Sequence, residues 1–137
     1  MKTAIDSNIL AALWSGESSA PRVAEQLHRA REQGAAVVCA PVYAELIAHP
    51  LASDGFVDKF LADTGIRIDF VLREEVWRTA ADGFAAYAKH RRGSGGTSPK
   101  RLLSDFVIAA HALVQADCLL TLDPTRYRQD FPKLRLL

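Results

Sequence analysis

Four acids stand out by the company they keep. Asp6 follows the apolar pair Ala4 and Ile5, Glu45 lies inside APVYAEL, Asp105 precedes FVIAAHAL, and Asp123 follows LLTL and precedes Pro124. Acids are among the residues least willing to go inside a protein unpaired, so each of these needs a reason. Each has a local one. Asp6 is placed to cap a helix over SNILAALW, Asp123 is an N-cap with Pro at the first helical position, and Asp105 is a favourable first-turn charge. Glu45 reads as an exposed-face residue, although Val42, Tyr43, Leu46 and Ile47 leave little room for a polar side. Taken singly, capping suffices. Gathered in one place, however, carboxylates repel: two charges about 4 Å apart cost about 4 kcal/mol at an effective dielectric of about 20. A shared proton or a bound cation relieves this. A ring of carboxylates without His or Cys suits a hard ion such as Mg²⁺ or Mn²⁺, which activates water and offsets charge on a phosphodiester. On that account Asp6, Glu45, Asp105 and Asp123 are both metal ligands and catalytic residues.

The account holds only if the fold brings the four together, and the pattern sets most of them at one edge of one sheet. KTAI, AAVVCA, IRIDFV and CLLTL read as strands, with KLRLL as a possible fifth. Between them run amphipathic stretches with helix punctuation: SSAPRVAEQLHRAREQG, VYAELIAH ended by Pro50, SDGFVDKFLADTG with Ser53 near its cap, REEVWRTAADGFAAYAKHRR, SDFVIAAHALVQA and the short DPTRYRQDF. In the long helix, Val76, Trp77, Ala80, Phe84 and Tyr87 are expected on one face, and Gly83 is expected to weaken it modestly. GSGGTSP reads as a break in the chain. Alternating strand and helix predict a parallel sheet covered on both faces, and functional sites in such sheets form outside the carboxyl ends of the strands. Asp6 and Asp123 directly follow strands, Glu45 lies early in the helix after the second strand, and Asp105 opens the helix that leads into the fourth.

With 137 residues, 49% hydrophobic and 24% charged, the chain fits one globular domain, residues 1–137. No apolar run approaches the roughly 18 residues of a membrane span, and no signal-peptide pattern opens the chain, so the expected location is cytoplasmic. Cys39 and Cys118 lack metal or redox spacing and are expected as buried thiols. The net charge of +1 favours no partner, but KHRRGSGGTSPKR (89–101) holds five Lys or Arg and no acid. Lys89, Arg91, Arg92, Lys100 and Arg101, with Arg126 and Arg128, are therefore candidate contacts for a polyanion. GSGGTSPK lacks the GK[ST] ending of a phosphate-binding loop. His28, His49, His90 and His111 share no ligand spacing, and no serine or cysteine has a visible His–acid partner.

IDSN (5–8), APVYAEL (40–46), LLSDFVIAAHAL (102–113) and LLTLDPTRYRQDFPKLRLL (119–137), in this order and over the whole length, resemble the PIN-domain ribonucleases, in particular the VapC-type toxins of prokaryotic toxin–antitoxin pairs. The resemblance matches Asp6, Glu45, Asp105 and Asp123 to the family's acidic quartet, and Asn8 and Thr121 to the small polar positions that support it. It implies a three-layer α/β domain with a parallel, five-stranded sheet, a divalent metal (Mg²⁺ or Mn²⁺), an RNA substrate, homodimerisation and a small VapB-like antitoxin partner. A housekeeping PIN nuclease and a non-catalytic PIN-like binding module are the rival readings. The second has no need to gather repelling charges.

Overall fold

The structure, a computed structural model, describes residues 1–53, 55–97 and 100–137. Four parallel strands, β1 (Lys2–Ile5), β2 (Ala35–Cys39), β3 (Arg67–Asp69) and β4 (Cys118–Leu120), form one sheet in the order β3-β2-β1-β4. The helices are α1 (Ser7–Trp14), α2 (Ala20–Glu32), α3 (Ala40–Ile47), α4 (Phe56–Thr64), α5 (Glu74–Gly93), α6 (Leu103–Gln115) and α7 (Pro124–Asp130). They cover both faces of the sheet, as parallel crossovers require. The chain steps outward from β1 through β2 to β3 and then returns to β1's other side as β4. That reversal puts the strand-order switch at β1, and Asp6 is the residue that leaves it.

Each layer follows from its sequence. β1, β2 and β4 are almost wholly buried, which explains their unbroken apolar runs. α6 is buried continuously from Asp105 to Ala112, the mark of a helix enclosed on all sides by the sheet beneath it and α5 above. His111, fully buried there, bonds Asp69 Oδ2 at 2.8 Å, and Lys2 Nζ reaches the same oxygen at 3.1 Å, so one polar node joins α6, β3 and β1. Trp14 closes the opposite side, edge-on to His49, Phe56 and Phe60. Both cysteines are buried and reduced, and burial pushes the Cys39 thiol up to about 12.

Three expectations are corrected. KLRLL contributes a single parallel bridge, Leu119 to Leu136, and the sheet has four strands; the chain turns at Phe131–Leu134, so only its last residues reach the β4 edge. In α5 the buried face is Val76, Ala80 and their neighbours, whereas Trp77 lies off it and is 51% exposed. Ser53 caps nothing with its side chain; Gly55, in the left-handed region, opens α4, and Asp54 lies outside the described residues. The GSGGTSP break begins as expected, with α5 ending at Gly93 and left-handed turns at Gly95 and Gly96; Ser98 and Pro99 lie outside the described residues.

Gly34 lets β2 start beside the N-terminus. Its φ is +153°, and a Cβ there would lie 1.9 Å from the Met1 carbonyl oxygen, the acceptor for Ala35 N–H. Backbone cannot yield as a side-chain tip can. Gly34→Ala is expected to lose at least about 2 kcal/mol of stability, through backbone strain and a displaced first strand pairing. Urea unfolding of the two proteins checks this; an unchanged midpoint would mean that the chain end is not held.

Candidate active site

Asp6 is the buried anchor. It is 2% exposed, at the exit of the central strand, and its backbone N–H continues the β1–β4 ladder by donating to Leu120 O. Its Oδ1 accepts from Ser7 N–H at 2.8 Å, so it does cap α1. Its Oδ2 accepts two buried hydroxyls, Thr121 Oγ1 at 2.8 Å and Tyr127 Oη at 2.9 Å. Cap and site residue are one and the same, each oxygen serving one role. Burial holds the carboxyl above the ordinary aspartate range, although the Thr121, Tyr127 and Ser7 donors and the Arg126 charge pull it back.

Thr121 and Asn8 hold that anchor. The Thr121 hydroxyl donates to Asp6 and accepts from Asp123 N–H at 3.1 Å and from Asn8 Nδ2 at 3.3 Å. Asn8 Oδ1 in turn accepts from Leu122 N–H at 3.2 Å. The turn after β4 and the first turn of α1 are thereby stitched together, which fixes where both acids leave the sheet.

Asp105, at the third position of α6, also divides its oxygens. Oδ2 accepts from Leu102 N–H at 3.2 Å, as an acid does in a capping box, and Oδ1 lies 3.3 Å from Arg126 Nη2. Asp123 occupies the N-cap position of α7 with Pro124 after it, yet its side chain makes no capping bond. Its Oδ2 lies 3.4 Å from Arg126 Nε instead. Glu45, in the second turn of α3, accepts from the Ser7 hydroxyl at 3.3 Å. Though the residue is accessible, its carboxyl is raised, by partial desolvation first and then by the Asp6 charge, with Asp105 adding to it and Ser7 and Arg126 opposing.

The four acids thus share one electrostatic neighbourhood, in two grades. Glu45 feels the charges of both Asp6 and Asp105, the Tyr127 phenol feels the same two, and Asp123 joins through Arg126 and Thr121. Among the described residues no three His, Cys, Asp or Glu side chains are grouped closely enough to hold a metal ion as they stand. The donor set is nonetheless all oxygen, from carboxylates backed by hydroxyls, which is the chemistry of a hard divalent cation rather than of zinc.

Two residues of the site are not legible in the sequence as site residues. Ser7 has no His–acid partner that would mark it as a nucleophile, and its spacing gives no sign that it donates to Glu45. Tyr127 belongs to the core, 2% exposed, with burial first and the Asp6 charge next pushing its phenol far upward. The available signal is its place four residues after Asp123, one helical turn on, as the one aromatic of α7 with a hydroxyl to bring inward.

The basic candidates separate. Lys89, Arg92, Lys100 and Arg128 are exposed, and Arg91 is half-buried. Arg101 is turned inward, with a 9% exposed side chain paired with Asp130, bonded to the Arg126 carbonyl and 3.1 Å from Gln129 Oε1. It fastens α7 to the entrance of α6 and offers no free charge. Arg126 faces the acids rather than solvent.

Comparison with known proteins now decides the family. The PIN domain profile matches residues 3–132. The chain belongs to the PIN domain family. Its members are nucleases. Among curated proteins none matches the sequence significantly. Solved structures do match in shape. VapBC-1 from nontypeable Haemophilus influenzae superposes with a TM-score of 0.68 at 19% identity, over 100% of this chain and 97% of that one. VapBC2 from Rickettsia felis, bound to a DNA fragment from its promoter, gives 0.66 at 17% identity, over 100% and 98%. At such identities the likeness is one of fold. No helix among the described residues of this PIN domain is long and apolar enough to cross a membrane.

The raised carboxyls make stability depend on pH in a defined direction. Between the ordinary glutamate value, about 4.3, and the raised value of Glu45, the folded state holds more proton than the unfolded state, so stability falls as pH rises through that window. In EDTA, Glu45→Gln should flatten this fall relative to wild type. Denaturant unfolding from about pH 4 upward measures it, and parallel profiles would remove Glu45 from the shared charge.

Proposed function

We propose that this PIN domain is a metal-dependent endoribonuclease, the toxin of a VapBC-type pair, with a VapB-like antitoxin as partner and a homodimer as its working form. The observation that carries the reading is the buried Asp6, raised by desolvation and braced by Thr121 and Tyr127, beside Glu45 and Asp105 at the carboxyl edge of the sheet. A binding module gains nothing from such charge. The toxin assignment is supported by the two VapBC assemblies that share the fold.

Asp6, Glu45, Asp105 and Asp123 would hold Mg²⁺ or Mn²⁺, directly or through water. When bound, such an ion supplies water activation at neutral pH and charge neutralisation at a phosphodiester. The chain's own residues do the rest. Thr121 and Tyr127 fix the orientation of the Asp6 carboxylate, Asn8 fixes Thr121, and Ser7 steadies Glu45. The exposed cations Lys89, Arg92, Lys100 and Arg128, with Arg91, would hold the RNA backbone.

Purified protein incubated with mixed RNAs should cut them with Mg²⁺ or Mn²⁺ and not with EDTA. Asp6→Asn and Asp105→Asn should each lose at least about a hundredfold in rate, and Tyr127→Phe about tenfold, as outer-shell partners of metal ligands do. Circular dichroism would confirm that each variant is folded. Full cleavage by folded Asp6→Asn would sink the mechanism. A small DNA-binding protein encoded next to this chain's gene would favour the toxin over a housekeeping nuclease.

The division among the cations gives a second test. Replacing Lys89, Arg92, Lys100 and Arg128 by Gln should weaken RNA binding and flatten its salt dependence, by about 0.7 in log–log slope for each phosphate that the variant no longer neutralises. Arg101→Gln should instead lower stability by undoing the α6–α7 fastening. An unchanged slope in the fourfold variant would leave the 89–101 stretch a solvated connector.

A further inference from the structure

Arg126 stands where two of the acids meet. It lies in the first turn of α7, and its guanidinium spans an acid from each of two elements: Nη2 is 3.3 Å from Asp105 Oδ1 at the start of α6, and Nε is 3.4 Å from Asp123 Oδ2 after β4. Its side chain is only 35% exposed, and the buried Nε meets no hydrogen-bond geometry. Both separations exceed the roughly 2.7–2.9 Å of close charge-assisted hydrogen bonds, so charge holds the group more than directional bonding does. The neighbouring Tyr127 hydroxyl is committed to Asp6, which fixes the helix and leaves the arginine as the movable arm.

The other donors at the centre are Ser7, Thr121, Tyr127 and backbone N–H groups, all neutral. Neutral donors stay in place when a cation approaches the same carboxylates. A guanidinium cannot, because two cations on shared oxygens repel. Nor can it lose its charge. Burial alone would favour the neutral form, but Asp105, Tyr127 and Asp123 outweigh it and hold Arg126 protonated above its already high ordinary value. Its one response is to move.

We propose that Arg126 is a built-in counter-cation of the acidic centre: it competes with the divalent cation for the oxygens of Asp105 and Asp123, and so sets that cation's affinity. The proposal rests on the cation-dependent reading above. Arg126 is on this view a positioning residue. It offsets the repulsion of the carboxylates when the cation is absent and must be displaced when the cation enters.

Mn²⁺ binding to wild type, Arg126→Gln and Arg126→Lys, followed by calorimetry, tests it together with Arg side-chain ¹⁵Nε–¹H spectra of wild type titrated with Mg²⁺. Arg126→Gln should bind Mn²⁺ at least about fivefold more tightly, within the usual range of coupling between linked sites, and Arg126→Lys should fall between. In the absence of metal Arg126→Gln should melt below wild type, and saturating Mn²⁺ should narrow the gap. The Arg126 Nε resonance should shift as Mg²⁺ saturates. Should Arg126→Gln not fold, Arg126→Lys and the wild-type resonance carry the test. Equal or weaker Mn²⁺ binding by folded Arg126→Gln, or an Arg126 resonance indifferent to saturating Mg²⁺, overturns the proposal while the cation reading stands. No Mn²⁺ binding by any of the three proteins overturns both.

Discussion

A carboxylate at the end of a buried central strand is a charge that a protein interior resists, and the carboxyl edge of this sheet is organised around it. Asp6 has almost no contact with solvent, and its desolvation favours the protonated form. Three donors hold it toward the ionised form: a backbone N–H from the helix it starts, a hydroxyl from the turn after β4, and a phenol from α7. Those donors come from three separate stretches of chain. The interaction therefore ties the N-terminal strand to the C-terminal quarter of the sequence, and Asn8 and Asp123 are located through the same hydroxyl.

Capping and chemistry are usually weighed as alternatives for an acid near a helix start. Here they are compatible, because a carboxylate has two oxygens. Asp6 and Asp105 each give one oxygen to a helix N-terminus and the other to the shared centre. The capping bond removes rotational freedom from the side chain, so the second oxygen is held in a fixed direction. Asp123 shows the contrast. It stands at a cap position and makes no capping bond, and its half-exposed side chain faces Arg126 instead.

The short helix α7 does more than its length suggests. A seven-residue helix has little stability of its own and must be held by tertiary contacts. Arg101 fastens it through Asp130, and Tyr127 anchors it to Asp6. Arg126, the residue before Tyr127, is thereby carried to Asp105 and Asp123. A charge that reads as a surface cation in the sequence is thereby directed into the acidic centre.

The periodicity and punctuation of the chain determined a good deal by themselves: a parallel α/β sheet, its four strands, seven helical stretches, and the order in which Asp6, Glu45, Asp105 and Asp123 leave them. Those are local matters, since apolar runs, caps and breakers act over a few residues. Asn8 and Thr121 came with the family resemblance, and their bonding could not be read from spacing. Tertiary structure decided what depends on partners outside each local stretch. The Tyr127 hydroxyl turns to Asp6, and Leu136 reaches β4 for one bridge only. Trp77 falls outside the core, and Arg101 and Arg126 face acids while Lys89, Arg92, Lys100 and Arg128 face solvent. The physical reason is that charge and hydroxyl groups take their roles from the partner across the gap, and a sequence specifies that partner only once the sheet has closed.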